Sequence, residues 1–284
     1  MTSSETSFLT QDLAKYRNLV LDELTELEEF TGPSQVPRIW WIGTGITSSL
    51  PFYAASRYLE NPEEDTLRQV VSSYTPTVKS LVHARSCTTQ LDSKKDKKPE
   101  ILVVSMPDTQ GQKALPGVTR ECAIIIQTLG DGFTVKQLEK PSIKQVQEVI
   151  QESDIVHFAC HRFSDHMDPS NSHLLHGVPP PEMPGFSEAS DQPNHSKPLV
   201  GRLTAQEISN NHVLGKAQIA YLSACSTAEV KAEKFPGAAL HIASAFQVAG
   251  FGHMIGLLWS TDDNTCVEMA KFFFCTFLKK KIAV

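Results

Sequence analysis

The chain of 284 residues is short of three things, and each shortage narrows the field. Basic charge is not in excess. Against 26 Lys and Arg stand 32 Asp and Glu, a formal net charge of -6, so no broad cationic field exists for a phosphate backbone and no nucleic-acid partner is expected. Long apolar runs are missing too. The longest are interrupted too early to span a bilayer, and MTSSETSFLTQDLAKYRN at the start has neither a cationic opening nor the apolar stretch of a secretory signal. Paired cysteines are the third absence. The six cysteines, Cys87, Cys122, Cys160, Cys225, Cys266 and Cys275, form no CxxC and sit mostly in apolar contexts, which argues for reduced thiols rather than a disulfide framework. The expectation is a soluble cytoplasmic protein with no membrane partner, large enough to bury a full core.

What is present is alternation. Leu13, Tyr16, Leu19, Val20, Leu24 and Leu27 recur at spacings of three and four, predicting an amphipathic helix that ends near Pro33. Arg38 to Ile42 reads as a strand, followed by a tight Gly43, Thr44, Gly45 turn. A nucleotide-binding loop would need more glycines and a helix directly behind, so a nucleotide-binding reading rests on this GxG alone; otherwise it is a turn by which the chain leaves the sheet. A strand-like or helical piece covers Leu67 to Tyr74, and a helix runs from Thr77 to about Arg85. The charged segment LDSKKDKKPE then breaks the pattern and marks a linker at 93–99.

From residue 100 the rhythm is regular. Strands are predicted at 101–105, 133–138, 154–160, 217–222 and 253–258. Helices are predicted at 118–129, 142–152 with Ser142 as cap, 204–211 opened by a Thr204 and Glu207 capping box, 237–249, and from 261 onward. Such alternation calls for a mostly parallel sheet covered on both faces. The connection from Arg162 to Arg202 is unusual, since roughly forty residues far exceed a plain α/β loop; a lid or specificity loop is expected.

Two strand tips carry chemistry. The apolar run Ile219 to Leu222 stops shortly before Cys225, and the run in DIVHFACHRFSD ends on His161. In open parallel sheets ligands bind at the C-terminal edge, so a thiol and an imidazole on neighbouring tips would make a nucleophile and base. The thiol needs a base or cation to act as thiolate, and a carbonyl substrate needs oxyanion donors, for which the backbone amides of Arg162 and Cys225 are available in kind. Cys160 alternates with Val156 and Phe158, so it should face one side of the sheet and be inert, with His157 buried and hydrogen-bonded on the other. Cys87, Cys122, Cys266 and Cys275 read as core filling. His157, Cys160, His161 and His166 lack paired ligand spacing, so neither a metal nor a cofactor is expected. Asp165, Asp168, Asp262 and Asp263 lie near strand tips and could bind a basic side chain or cap helices; for Asp262 and Asp263, in the first turn of the last helix, capping is the better reading.

HFACHR and SDHMDPSNSHLL, taken with AYLSACSTAE and FPGAALHIASAFQVAGFGHMIGLLWSTDD, resemble the CHAT domain, a caspase-like and separase-like cysteine peptidase family. RIWWIGTG, LPFYAAS, SSYTPTVKSL and SMPDTQGQKALPGVTRE extend the resemblance, in the form seen in fungal members, over roughly 36–280. The resemblance implies an α/β fold, a caspase-like three-layer sandwich at 100–284 preceded by a degenerate caspase-like half at 36–92, with 1–35 as an N-terminal helical segment. It implies His161 as base or orienting imidazole, Cys225 as nucleophile, and hydrolysis of a protein or peptide substrate through an acyl-enzyme, in regulated signalling, cell-death or defence proteolysis that implies a regulatory partner. Family members carry glycine after the histidine, where this chain has Arg162; their LPLHAAG stands here as LPFYAAS, with Tyr53 and Ser56 in place of His and Gly. Two readings follow: a cysteine endopeptidase, or a CHAT-like module that binds peptides or partners without cutting them. Arg162 is the residue that separates them.

Overall fold

The computed structural model describes residues 36–43, 50–56, 65–89, 98–163, 165, 168–176, 201–210, 218–223, 238–257 and 261–282. The chain divides into two compact units, Met1–Val78 and Lys79–Val284. The helix expected before residue 31, most of the turn at 43–45 and most of the charged linker lie outside the described residues.

In the first unit, β1 (Arg38–Trp41) and β2 (Val71–Tyr74) pair in parallel, Arg38 opposite Val71 and Trp41 opposite Tyr74. The piece expected to be strand or helix is both, because α1 (Thr66–Gln69) precedes β2 and is capped by Asp65, whose carboxylate accepts from the Leu67 amide at 2.9 Å. Trp41 stacks on Phe52 at 5.2 Å, and the Tyr53 amide donates to the Tyr74 hydroxyl at 3.2 Å. Tyr53 thus serves an aromatic cluster.

The second unit is built on five strands, β3 (Glu100–Ser105), β4 (Thr134–Glu139), β5 (Ile155–Ala159), β9 (Ile219–Leu222) and β10 (His253–Gly256), all parallel in the order β10-β9-β5-β3-β4. The helices are α2 (Val78–Thr89), which opens at the division between the units, then α3 (Pro116–Leu129), α4 (Ile143–Ile150), α5 (Ala205–Asn210), α6 (Ala238–Ala249) and α7 (Asp263–Ile282). Every residue of β5 is buried. Its alternate side chains feed two separate cores: Val156, Phe158 and Cys160 pack toward α4, α5 and α6, while Ile155, His157 and Ala159 face α3 and α7. Phe158 and Phe246, both fully buried, sit 5.5 Å apart, each contributing about 2–3 kcal/mol by removal from water. The expected two-sided parallel sheet is therefore present.

The connection after Arg162 is not a plain loop. It carries β6 (Arg162–Phe163), β7 (His173–His176) and β8 (Gly201–Thr204), an antiparallel sheet with Arg162 opposite Leu174 and Leu174 opposite Leu203. Leu174 and Leu203 are buried in the α4–α6 core, so hydrophobic burial at single positions, rather than a readable alternation, holds these short strands in place.

The topology positions the site. From β3 the chain crosses by α3 to β4 on one side, and from β5 it crosses by α5, on the opposite face, to β9 on the other side. The direction reverses between β3 and β5, so their C-terminal ends flank a switch point, where parallel sheets open a crevice.

Candidate active site at the switch point

β5 ends at Ala159, and the ladder continues one step beyond on each side: the Met106 amide donates to the Ala159 carbonyl at 2.9 Å and the Ser223 amide to the Phe158 carbonyl at 2.9 Å. His161 follows two residues later and is only 1% exposed. Its Nε2 lies 2.8 Å from the Lys113 carbonyl oxygen. A carbonyl can only accept, so Nε2 carries the hydrogen and Nδ1 is the basic nitrogen of the neutral ring. Burial lowers the imidazole pKa below its usual 6.5, with the Lys113 hydrogen bond and the Asp263 charge opposing the shift. The ring is thus held neutral and in one tautomer at neutral pH.

Lys113 belongs to the segment between β3 and α3, which folds back on itself through Gln112 to Thr109 (3.0 Å) and Leu115 to Pro107 (2.8 Å) backbone bonds. Sequence reasoning missed this carbonyl, since a backbone acceptor leaves no residue-type signal. The same corner is tied down by Asp263. Its Oδ2 accepts from the Gly117 amide at 2.5 Å, so a residue in the first turn of α7 satisfies the N-terminus of α3. Asp262 caps α7 itself, accepting from the Thr265 amide at 3.0 Å. Asp168 accepts from the Ser170 amide at 3.1 Å, and Asp165 from the Asp168 amide at 3.0 Å. All four carboxylates accept backbone amides close to where they stand.

Arg162 opens β6 with its backbone in a strand; the only non-glycine residue with positive φ among the described residues is Lys140. The position therefore demands no glycine. The side chain is 6% exposed, and Nη1 donates to the Leu257 carbonyl at 2.9 Å, just past the end of β10.

Cys225 lies outside the described residues, as do His166 and the sequence from 177 to 200. The described chain of β9 runs to Ser223, two residues short of the cysteine. Cys160 points into the α4–α6 core with its thiol pushed up to about 12 by burial, as inert as its alternation predicts. His157 lies on the other face, 0% exposed, stacked on Tyr221 at 5.0 Å and 2.9 Å from Glu121 Oε1. The sequence carried a signal for Glu121 that went unused: it falls on the buried face of α3 between Val118 and Ile125, where a carboxylate needs a partner. Among the described residues no group of His, Cys, Asp and Glu could hold a metal ion, and no helix is long and apolar enough to cross a membrane.

Fold and corner together describe an α/β protein with a buried, oriented imidazole where its parallel sheet changes direction. A family model for the CHAT domain matches residues 11–284, and the chain belongs to that family. No curated protein matches it.

Proposed function

We propose that this CHAT protein is a cysteine endopeptidase of the caspase-like type, in the form seen in fungal members, with His161 and Cys225 as its dyad. The observation that carries the reading is the neutral His161, fixed by the Lys113 carbonyl at the tip of β5, beside the parallel strand whose continuation leads to Cys225. In the proposed reaction Nδ1 of His161 takes the thiol proton, the thiolate attacks the scissile carbonyl, and the backbone amides of Arg162 and Cys225 hold the oxyanion. The imidazolium then protonates the leaving amine, and water releases the acyl group with His161 again as base. On this reading 100–284 is the catalytic half of a caspase-like sandwich, 36–92 a degenerate first half, and the substrate a cytoplasmic protein or peptide met under control of a regulatory partner.

A second reading, a module that binds peptides without cutting them, is favoured by Arg162 in the place where the family carries glycine. A diverse peptide library separates the two. The first expects cleavage that disappears in Cys225→Ala, together with labelling of Cys225 by a thiol-directed peptide electrophile. Peptide binding with no turnover and an unlabelled Cys225 would establish the second.

A further inference from the structure

The edge of a sheet offers backbone donors and acceptors to any polypeptide beside it, and charged side chains are the usual guard against such pairing. The five-stranded sheet has two edges. β4 is guarded by the exposed Lys136 and Glu139, whereas β10 contains no Lys, Arg, Asp or Glu. Among the described residues β10 has a strand on one side alone, β9. The His253 amide donates to the Gln218 carbonyl at 2.8 Å, so in this parallel ladder His253 and Ile255 bond to β9 while Met254 and Gly256 turn their N–H and C=O groups outward. Beside that edge, under α7, opens a groove of about 790 Å³ whose lining includes Tyr221, Ile255, Met269, Phe272 and Phe273. α7 has two stripes. Cys266, Val267, Ala270 and Phe274 are buried, while Thr265, Met269, Phe272 and Thr276 line the groove, with Met269 44% and Phe272 72% exposed. The second stripe carries no charge, and the neighbouring Glu268 and Lys271 pair with each other at 3.7 Å. A like surface therefore meets no repulsion there, despite the net charge of -6.

We infer that β10 and the uncharged stripe of α7 form a two-fold interface with a second copy of this chain. A two-fold axis normal to the sheet at Ile255 sets β10 antiparallel to its copy, with Met254 opposite Gly256 and Gly256 opposite Met254, so that the outward groups of both strands exchange hydrogen bonds. The same axis sets α7 antiparallel to its own copy. Tyr221, opposite Ile255 in the ladder, packs against Phe273 at 5.1 Å, so the middle of α7 stands at the level of the axis. Thr265 then faces Thr276 of the second copy and Met269 faces its Phe272, hydroxyl against hydroxyl and apolar against apolar, and Phe272 of each copy fills the groove of the other. A stripe that matches itself when reversed is what an isologous contact requires, and an unrelated partner would impose no such symmetry. The interface stands or falls independently of the chemistry at His161.

The test is sedimentation velocity of the intact chain across micromolar to hundreds-of-micromolar concentrations, beside Met269→Lys and Phe272→Glu. The parent should dimerise. Each substitution should raise the dissociation constant by at least roughly a hundredfold, since symmetry makes every change count twice. Mixed in equal amounts, the two variants should associate again, because the lysine of one then meets the glutamate of the other. Thermal unfolding checks that each variant is folded, and Phe272→Ser probes the same contact without a charge if Phe272→Glu is not. A parent that stays monomeric at the highest concentration overturns the inference and leaves the groove to a different polypeptide. A dimer that neither substitution weakens, or weakened variants that remain apart when mixed, overturns it as well.

Discussion

Glu121 and His157 meet at 2.9 Å with side-chain exposures of 1% and 0%. The approach is close but poorly aligned, since neither the ring nitrogens nor Glu121 Oε1 makes a hydrogen bond of good geometry. Packing therefore holds the pair more than a directed bond does, with Tyr221 stacked on the ring at 5.0 Å and Phe274 edge-on at 5.6 Å. Removing one partner strands the other in an apolar box. Glu121→Leu should destabilise the protein by about 3–5 kcal/mol, and adding His157→Phe should recover part of that loss, read as non-additivity in urea unfolding of the singles and the double. At this scale the sequence was legible where residue type alone decides. The alternation that set Cys160 against His157 holds, because period two is a property of the backbone. The Lys113 carbonyl and the reach of Arg162 to Leu257 were illegible, since both depend on backbone atoms far away in the chain.

Helix starts were legible because capping is local. Ser142 and Gln145 form the reciprocal box at the start of α4, and Thr204 and Glu207 do the same for α5, with amide contacts of 3.1 Å to Thr204 Oγ1 and 2.8 Å to Glu207 Oε2. Thr204→Ala should cost about 1 kcal/mol in thermal or urea unfolding. The link between α3 and α7 was not legible, because Asp263 was expected to serve its own helix and instead accepts from Gly117 of another. A Cβ on Gly117 would come within 2.6 Å of that carboxylate, so Gly117→Ala must push Asp263 aside. Gly117→Ala and Asp263→Ala should each destabilise by about 1 kcal/mol, and a double-mutant cycle should find them strongly coupled, because either change breaks the same contact. The antiparallel β6, β7 and β8 escaped the sequence for a different reason. β6 has two residues and β7 four, too few for a periodic pattern, and β8 begins 25 residues after β7 ends.

For the molecule as a whole, burial lowers the pKa of both His161 and His173, the latter stacked on Phe163 at 5.0 Å with Nδ1 2.6 Å from the Asn171 carbonyl. The folded state therefore binds protons less readily than the unfolded chain, whose histidines titrate near 6.5. The stability they contribute is present in full above that value and is lost as pH falls through their lower folded values. Urea unfolding from pH 7.5 downward should show stability declining below about 6.5, and His173→Asn should flatten the decline. The parallel sheet itself was the most legible feature, since five regularly spaced apolar runs separated by helices admit little else. Its uniform direction also has a consequence for how such a protein can change over generations. The turns leaving the C-terminal ends of β3, β5 and β9 gather at one end, so that end can gain, lose or exchange chain while most of the packing in the two cores on the faces of the sheet is kept. Novel specificity and inherited stability are thereby separated in space.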